Sequence, residues 1–192
     1  MPSDTTATES SVLVNPVVIL ASLCYIAAIG SYLTLSAFIT SYFADIGIVG
    51  PVNVLVLGVA TVGRGVGGSA AVSFPITDPN LIVGASVAAV LGFGLLATGP
   101  AVPLRAGLPL MVMLAVSLPF GAIYNIAADA APSKGSALAM VIAVGNLIGL
   151  VLPVVTGSIR DVTGGYEGAF LLLVALNLLA FGSALLITAR YQ

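Results

Sequence analysis

Charge is almost absent from this sequence. Its 192 residues include five basic and seven acidic side chains, and they include no histidine and no tryptophan. A soluble domain carries roughly 25% charged residues, whereas this chain carries 6%. The scarcity of charge therefore excludes a soluble globular domain. Since the few basic residues are scattered, no surface for nucleic acid is expected either.

Residues that bind metals or act as nucleophiles are also rare. Cys24 is the only cysteine, so an internal disulfide and a CxxC redox or zinc site are excluded. Histidine, the commonest transition-metal ligand and proton carrier, is missing. The glycine-rich stretch 63–68 lies inside an apolar run rather than after a strand, so it does not predict a dinucleotide site. We therefore expect neither an enzyme nor a bound cofactor or metal.

Long apolar runs dominate what is present. Each uncharged run exceeds the roughly 20 residues that a helix needs to cross the hydrocarbon core of a bilayer. The runs are 10–44, 79–104, 106–128, 135–159 and 168–189. They are far longer than barrel strands, and a helix satisfies its own backbone groups in lipid. The sequence therefore predicts an all-α membrane protein in a lipid bilayer.

Turn residues and charges divide the chain into a polar N-terminal tail, residues 1–15, and six transmembrane helices within 16–189. The predicted spans are about 16–43, 51–74, 81–98, 107–128, 136–157 and 168–189. Six spans place both termini on one side of the membrane. The positive-inside rule does not choose that side, because each face has two flanking basic residues. The loops are short, so any function lies within or between the helices.

Arg64 is the most informative residue, because it is the only charge within residues 52–74. A charge near the middle of a span is costly unless it is paired or faces a wet cavity, so it marks function by default. A guanidinium can hold an anion through two parallel hydrogen bonds. Two interpretations stay open. Arg64 binds an anionic substrate group, or it pairs with a carboxylate or helix carbonyls of another half.

Three uncharged polar residues near mid-span are further candidates for contact with a substrate. Tyr25 and Tyr32 are seven residues apart and so share a face of the first helix. Asn146 lies near the middle of the fifth span. The alternative for all three is helix packing, through the rings or through an interhelical hydrogen bond. Tyr124 and Asn125 lie toward the end of the fourth span, where an interfacial role is expected instead.

Glycines recur every four residues in two of the spans. Gly63 and Gly67 do so in the second span, and Gly145 and Gly149 do so in the fifth. Small residues at this spacing let helix backbones approach closely. We expect these glycines to pack helices together, and a surface on which helices slide during gating is the second interpretation.

The stretch 157–170 is the most specific in the chain. It reads G-x-x-x-D-x-T-G-x-Y and then has a phenylalanine at the start of the next helix. This closely resembles the junction between the eleventh and twelfth helices of major facilitator superfamily transporters. The run 145–149, followed by Pro153, resembles their eleventh helix, and 119–125 suits their tenth. Asp161 lies at the membrane edge and is expected to cap or pin the turn that follows it.

On this resemblance the chain is the C-terminal six-helix half of such a transporter. The resemblance implies a multi-pass protein of the cell membrane with both termini in the cytoplasm. It places the first span at the seventh helix, which lines the cavity in the family, and Arg64 in the eighth. Nitrate/nitrite porters of the superfamily carry an anion-holding arginine in their eighth helix, and their glycine-rich eleventh helix is partly similar to the fifth span.

The superfamily normally has twelve helices, and sites of this kind lie between two six-helix bundles. The resemblance therefore implies a second half, either another copy of the chain or a separately encoded N-terminal half. The implied function is transport of a small solute by alternating access, the solute being an anion if Arg64 binds it. A non-transporting subunit or truncated remnant, and a small homo-oligomeric channel, are the alternatives.

Overall fold

The computed structural model describes residues 12–73 and 76–191, and all regular structure in these residues is helical. The helices are α1 (Pro16–Asp45), α2 (Val52–Ser73), α3 (Asp78–Ala97), α4 (Val102–Ser117), α5 (Phe120–Asp129), α6 (Lys134–Thr163) and α7 (Glu167–Tyr191). Five stretches are long and apolar enough to cross a membrane: Pro16–Asp45, Asp78–Ala97, Val102–Asp129, Lys134–Thr163 and Glu167–Arg190. The chain is a helical multi-pass membrane protein, as the apolar runs predicted.

The helices differ from the predicted spans mainly at their ends. α6 continues to Thr163, although the fifth span was expected to stop near residue 157. α2 contains the shorter apolar stretch Val54–Ser69. Residues 1–11 of the predicted tail and the predicted end of the second span at residue 74 lie outside the described residues.

Pro119 divides the fourth span into two helices. A single helix over 107–128 was expected, but α4 begins at Val102 and ends at Ser117, and α5 begins at Phe120. Proline lacks an N–H and its ring clashes with the preceding turn, so it interrupts the helical hydrogen bonds. The N–H of Leu118 still donates to Leu114, so the backbone stays paired up to the break.

Asn15 fixes the start of α1. Its side-chain oxygen accepts hydrogen bonds from the N–H groups of Val17 and Val18 at 2.9 and 3.3 Å, which is a side-chain N-cap. Its amide nitrogen donates to the carbonyl of Ala130 at 2.7 Å, after the end of α5. Asn15 and Val12, predicted as part of the polar tail, therefore contact the bundle, whereas Leu13 and Val14 between them are exposed.

α1 is the central helix of the bundle. It packs along α6 and α7, while α3 packs along α7 and α2 packs on α4. The buried residues form two clusters at different levels along the helices. One cluster contains Tyr25 and Ile187, and the other contains Phe43 and Phe170. Tyr32 packs against both clusters and therefore marks the level at which they meet.

The repeated glycines of α2 lie where this helix meets the fourth span. An added Cβ at Gly63 would come within 3.0 Å of the Ser117 side chain. An added Cβ at Gly67 would overlap the carbonyl oxygen of Leu118, which belongs to the backbone. The two glycines thus permit a backbone approach that alanine would prevent.

The repeated glycines of α6 face α1. An added Cβ at Gly145 would overlap the ring of Tyr25, and one at Gly149 would lie 3.2 Å from the side chain of Leu33. This places the glycine face of α6 on the central helix. That these surfaces slide during gating stays a prediction.

Glycine and threonine contacts hold the turn between α6 and α7. Gly164 has a left-handed φ of 74°, and its N–H donates to the carbonyl of Arg160 at 2.8 Å. The hydroxyl of Thr163 donates to the carbonyl of Gly165 at 3.2 Å. Asp161 lies in the last turn of α6 and is exposed. That it caps or pins the turn that follows stays a prediction.

Candidate functional site

Arg64 lies against two aromatic rings near the middle of α2. Its guanidinium carbon is 4.3 Å from the centre of the Tyr32 ring and 4.5 Å from that of Phe120. A cation over a ring face gains roughly 0.5–2 kcal/mol, most where water is excluded. Tyr32 lies where the two buried clusters meet, about halfway along the bundle. The contacts with the rings therefore hold the guanidinium at mid-depth. Arg64 itself is exposed, whereas Phe120 is buried.

The charge of Arg64 is not balanced by a carboxylate in the described part of the chain. The two ion pairs found there join Lys134 to Asp129 and Arg160 to Asp45, at or near the ends of their helices. A guanidinium carries five N–H donors in its plane. The contacts with ring faces do not use these donors as hydrogen bonds. Arg64 therefore offers a positive charge and directed donors to a ligand or to another subunit.

A chain of hydroxyl groups lies beside the arginine. The hydroxyl of Tyr124 donates to that of Tyr25 at 3.2 Å, and the latter donates to the side-chain oxygen of Asn146 at 3.5 Å. The Tyr25 ring packs edge-on against Phe120, with ring centres 5.5 Å apart. These contacts join α1, α5 and α6 at one level. Asn146 is exposed, and its amide nitrogen takes no part in these hydrogen bonds. This nitrogen is therefore a neutral hydrogen-bond donor that a ligand could use.

An open cavity of about 370 Å³ lies at this place. Residues of α1, α2 and α5 form its wall: Tyr25, Ile29, Arg64, Phe120, Gly121 and Tyr124. The wall combines one cation, two phenol groups and apolar surface. Chemically, it can bind an anionic group at the guanidinium and an apolar group at the rings.

The four side chains predicted to contact a substrate come together in this region. Arg64 and Tyr25 line the cavity, Tyr32 packs on the guanidinium, and Asn146 accepts the hydrogen bond from Tyr25. The four belong to three different helices, so only the folded chain brings them together.

Two aromatic residues of the site, Phe120 and Tyr124, were not predicted as substrate contacts. Tyr124 was expected near the membrane interface, but it lines the cavity and is hydrogen-bonded to Tyr25. The spacing of four residues puts Phe120 and Tyr124 on one face of a helix. That spacing, immediately after Pro119, was the available signal. The spacing could not show whether the face that carries Phe120 and Tyr124 points toward the cavity, because that direction depends on the break at Pro119.

Gly145 controls the position of Tyr25, which gives a test of the site. Gly145→Ala is expected to push the Tyr25 ring aside and to break its hydrogen bonds to Tyr124 and Asn146. Overpacking of this kind lowers the free energy of unfolding by about 1–3 kcal/mol, measurable by thermal unfolding in detergent. Gly135→Ala, in the same helix, is the control, because no heavy atom lies within 4 Å of the added carbon. Equal stability of the two variants would contradict the contact.

No protein-family model and no curated protein matches this chain.

Proposed function

We propose that this chain is one six-helix half of a secondary transporter of the major facilitator type. With a second half it moves a small anion across the cell membrane by alternating access. The observation that carries the proposal is Arg64. It is a permanent charge at mid-depth, held by two rings, beside an open cavity, with no balancing carboxylate in the described part of the chain. Transporter sites lie at this depth, between two helical repeats.

The exposure of Arg64 supports the need for a second half. A charge that faces lipid at the middle of a bilayer is costly, by several kcal/mol on most estimates. The cost disappears if a second bundle or a water-filled pathway covers this side. The second half is either another copy of the chain or a separate N-terminal half. With that assembly the termini of the chain lie in the cytoplasm, as in the family that the sequence resembles.

The helices that build the cavity also support a transporter of this type. On the resemblance, α1 and α2 correspond to the seventh and eighth helices of the family, and α5 and α6 belong to the tenth and eleventh. The site residues Tyr25, Arg64, Tyr124 and Asn146 come from these four helices. Their convergence at one level is what a central pathway between two halves requires.

The mode of transport that fits this wall is exchange or uniport, or coupled transport in which the titrating group lies elsewhere. The lining residues carry no carboxylate, and the chain has no histidine, so the described wall offers no group that takes up a proton near neutral pH.

Counterflow in proteoliposomes tests the proposal. The chain is reconstituted alone and together with any six-span protein encoded beside it, and the vesicles are loaded with unlabelled nitrate or benzoate. We expect the internal anion to accelerate entry of the same labelled anion at least threefold, because a carrier returns faster when loaded. Flux without acceleration would instead indicate a channel. Flux no greater than in protein-free vesicles, with every partner tried, would indicate a non-transporting subunit.

A further inference from the structure

The charge of the cavity limits the valence of its ligand. Arg64 is the only ionisable group of fixed charge on the described wall, and the other polar groups there are two neutral phenols. An ion in a low-dielectric site is stable only when an opposite charge balances it. One guanidinium balances one negative charge. A dianion such as sulfate would find no second cation on this wall.

The size of the cavity limits the ligand in a different way. Its volume of about 370 Å³ lies at the lower end of the range found for small-molecule sites, roughly 300–1,000 Å³. A single water molecule takes about 30 Å³ of liquid water. An inorganic oxyanion on the guanidinium would therefore cover only part of this wall and would leave the rings of Tyr25, Phe120 and Tyr124 without a ligand contact. A ligand with an organic body contacts the rings as well as the guanidinium.

The wall shows which kind of body fits. The rings of Tyr25, Phe120 and Tyr124 lie side by side, with Tyr25 5.5 Å from Phe120 and 5.6 Å from Tyr124 between ring centres. Ile29 and the backbone of Gly121 complete the apolar surface. Ring faces and edges of this kind pack well against another flat, apolar group.

We propose that the ligand of this site is a monocarboxylate with a flat apolar body, and not an inorganic oxyanion. The carboxylate binds the in-plane donors of Arg64, in the two-bond geometry that guanidinium and carboxylate share. The body lies along the Tyr25, Phe120 and Tyr124 rings. This inference rests on the anion site of the proposed function and deepens it by naming the class of substrate.

Binding in detergent to the purified full chain, alone and together with any six-span protein encoded beside it, tests the inference with four probes at constant ionic strength: benzoate, nitrate, sulfate and the uncharged analogue benzamide. We expect benzoate to bind at least tenfold more tightly than nitrate, sulfate or benzamide. Arg64→Ala is expected to remove the preference for benzoate over benzamide. Benzoate binding that survives this substitution unchanged would overturn the inference.

A second variant separates the role of the rings from that of the charge. Phe120→Leu keeps an apolar side chain but removes one ring, and we expect it to weaken benzoate binding by about threefold to tenfold. Nitrate binding should change less than twofold. If both anions weakened equally, the ring would act only by placing Arg64, and the inference would fail.

The outcomes distinguish the inference from the proposed function. If nitrate or sulfate binds as tightly as benzoate and depends on Arg64, the monocarboxylate assignment is wrong while the anion site stands. If benzoate binds through Arg64 but shows no counterflow in vesicles, the ligand class stands and transport fails. If none of the anions depends on Arg64, both proposals are overturned.

Discussion

Arg64→Ala is expected to lower anion uptake into proteoliposomes by about tenfold to a hundredfold. The substitution removes the only fixed charge of the cavity wall and the donors that would hold an anionic group. A hydrogen bond to a charged group contributes about 1.5–3 kcal/mol, and each 1.4 kcal/mol is about a factor of ten in affinity. The initial rate of uptake, measured below saturation, reports this loss.

Two further variants show whether the shape of the side chain matters as well as its charge. Arg64→Lys keeps the charge but loses the planar fork and much of the stacking on Tyr32 and Phe120, so uptake should lie between those of the intact chain and the alanine variant. Arg190→Ala removes an exposed arginine at the end of α7 and should leave uptake unchanged. Unchanged uptake in the Arg64→Ala protein would rule out Arg64 as the substrate contact.

Much of the fold follows from the sequence, because lipid imposes a simple rule on it. A backbone in hydrocarbon must satisfy its own hydrogen bonds, so each long uncharged run becomes a helix. That rule predicted the helical class and where the apolar helices lie along the chain, but not the break at Pro119 that divides the fourth span into two helices. It did not predict the ends, since a membrane helix continues beyond the apolar run wherever local contacts allow. α6 reaches Thr163 for this reason, and Asp161 lies in a helix instead of a turn.

The candidate site was predictable only in part. Arg64 can be identified from the sequence, because the free-energy cost of a charge within a membrane span does not depend on the rest of the fold. Tyr25 and Tyr32 were visible because seven residues return a helix to the same face. Phe120 and Tyr124 were not visible as site residues, since their direction depends on the break at Pro119 and on the packing of α5. The chain Tyr124–Tyr25–Asn146 joins three helices, and such contacts follow from tertiary packing alone.

Gly67→Ala is expected to destabilise the bundle more than any other glycine-to-alanine substitution in α2. Its added carbon would overlap the carbonyl oxygen of Leu118 and lie 2.8 Å from the carbonyl carbon. At Gly63 the nearest atom, the Cβ of Ser117, would lie 3.0 Å from an added carbon and has to give by only a few tenths of an ångström, whereas the overlap at Gly67 is with a backbone carbonyl that cannot rotate away. α2 must therefore move away from the fourth span. We expect a loss of about 1–3 kcal/mol in the free energy of unfolding.

Gly65→Ala is the matched control, because no heavy atom lies within 4 Å of its added carbon and it is two residues away on the same helix. Alanine favours the helix over glycine by up to about 1 kcal/mol, so this variant should be as stable as the intact chain or more so. Thermal unfolding in detergent should thus separate the two variants clearly. Gly67→Ala should also weaken anion uptake, since Arg64 lies one turn away and would move from Phe120 with the helix. If both variants unfolded at the same temperature, the close contact between α2 and Leu118 would be absent. The helix contact that keeps Arg64 beside Phe120 would then be absent as well.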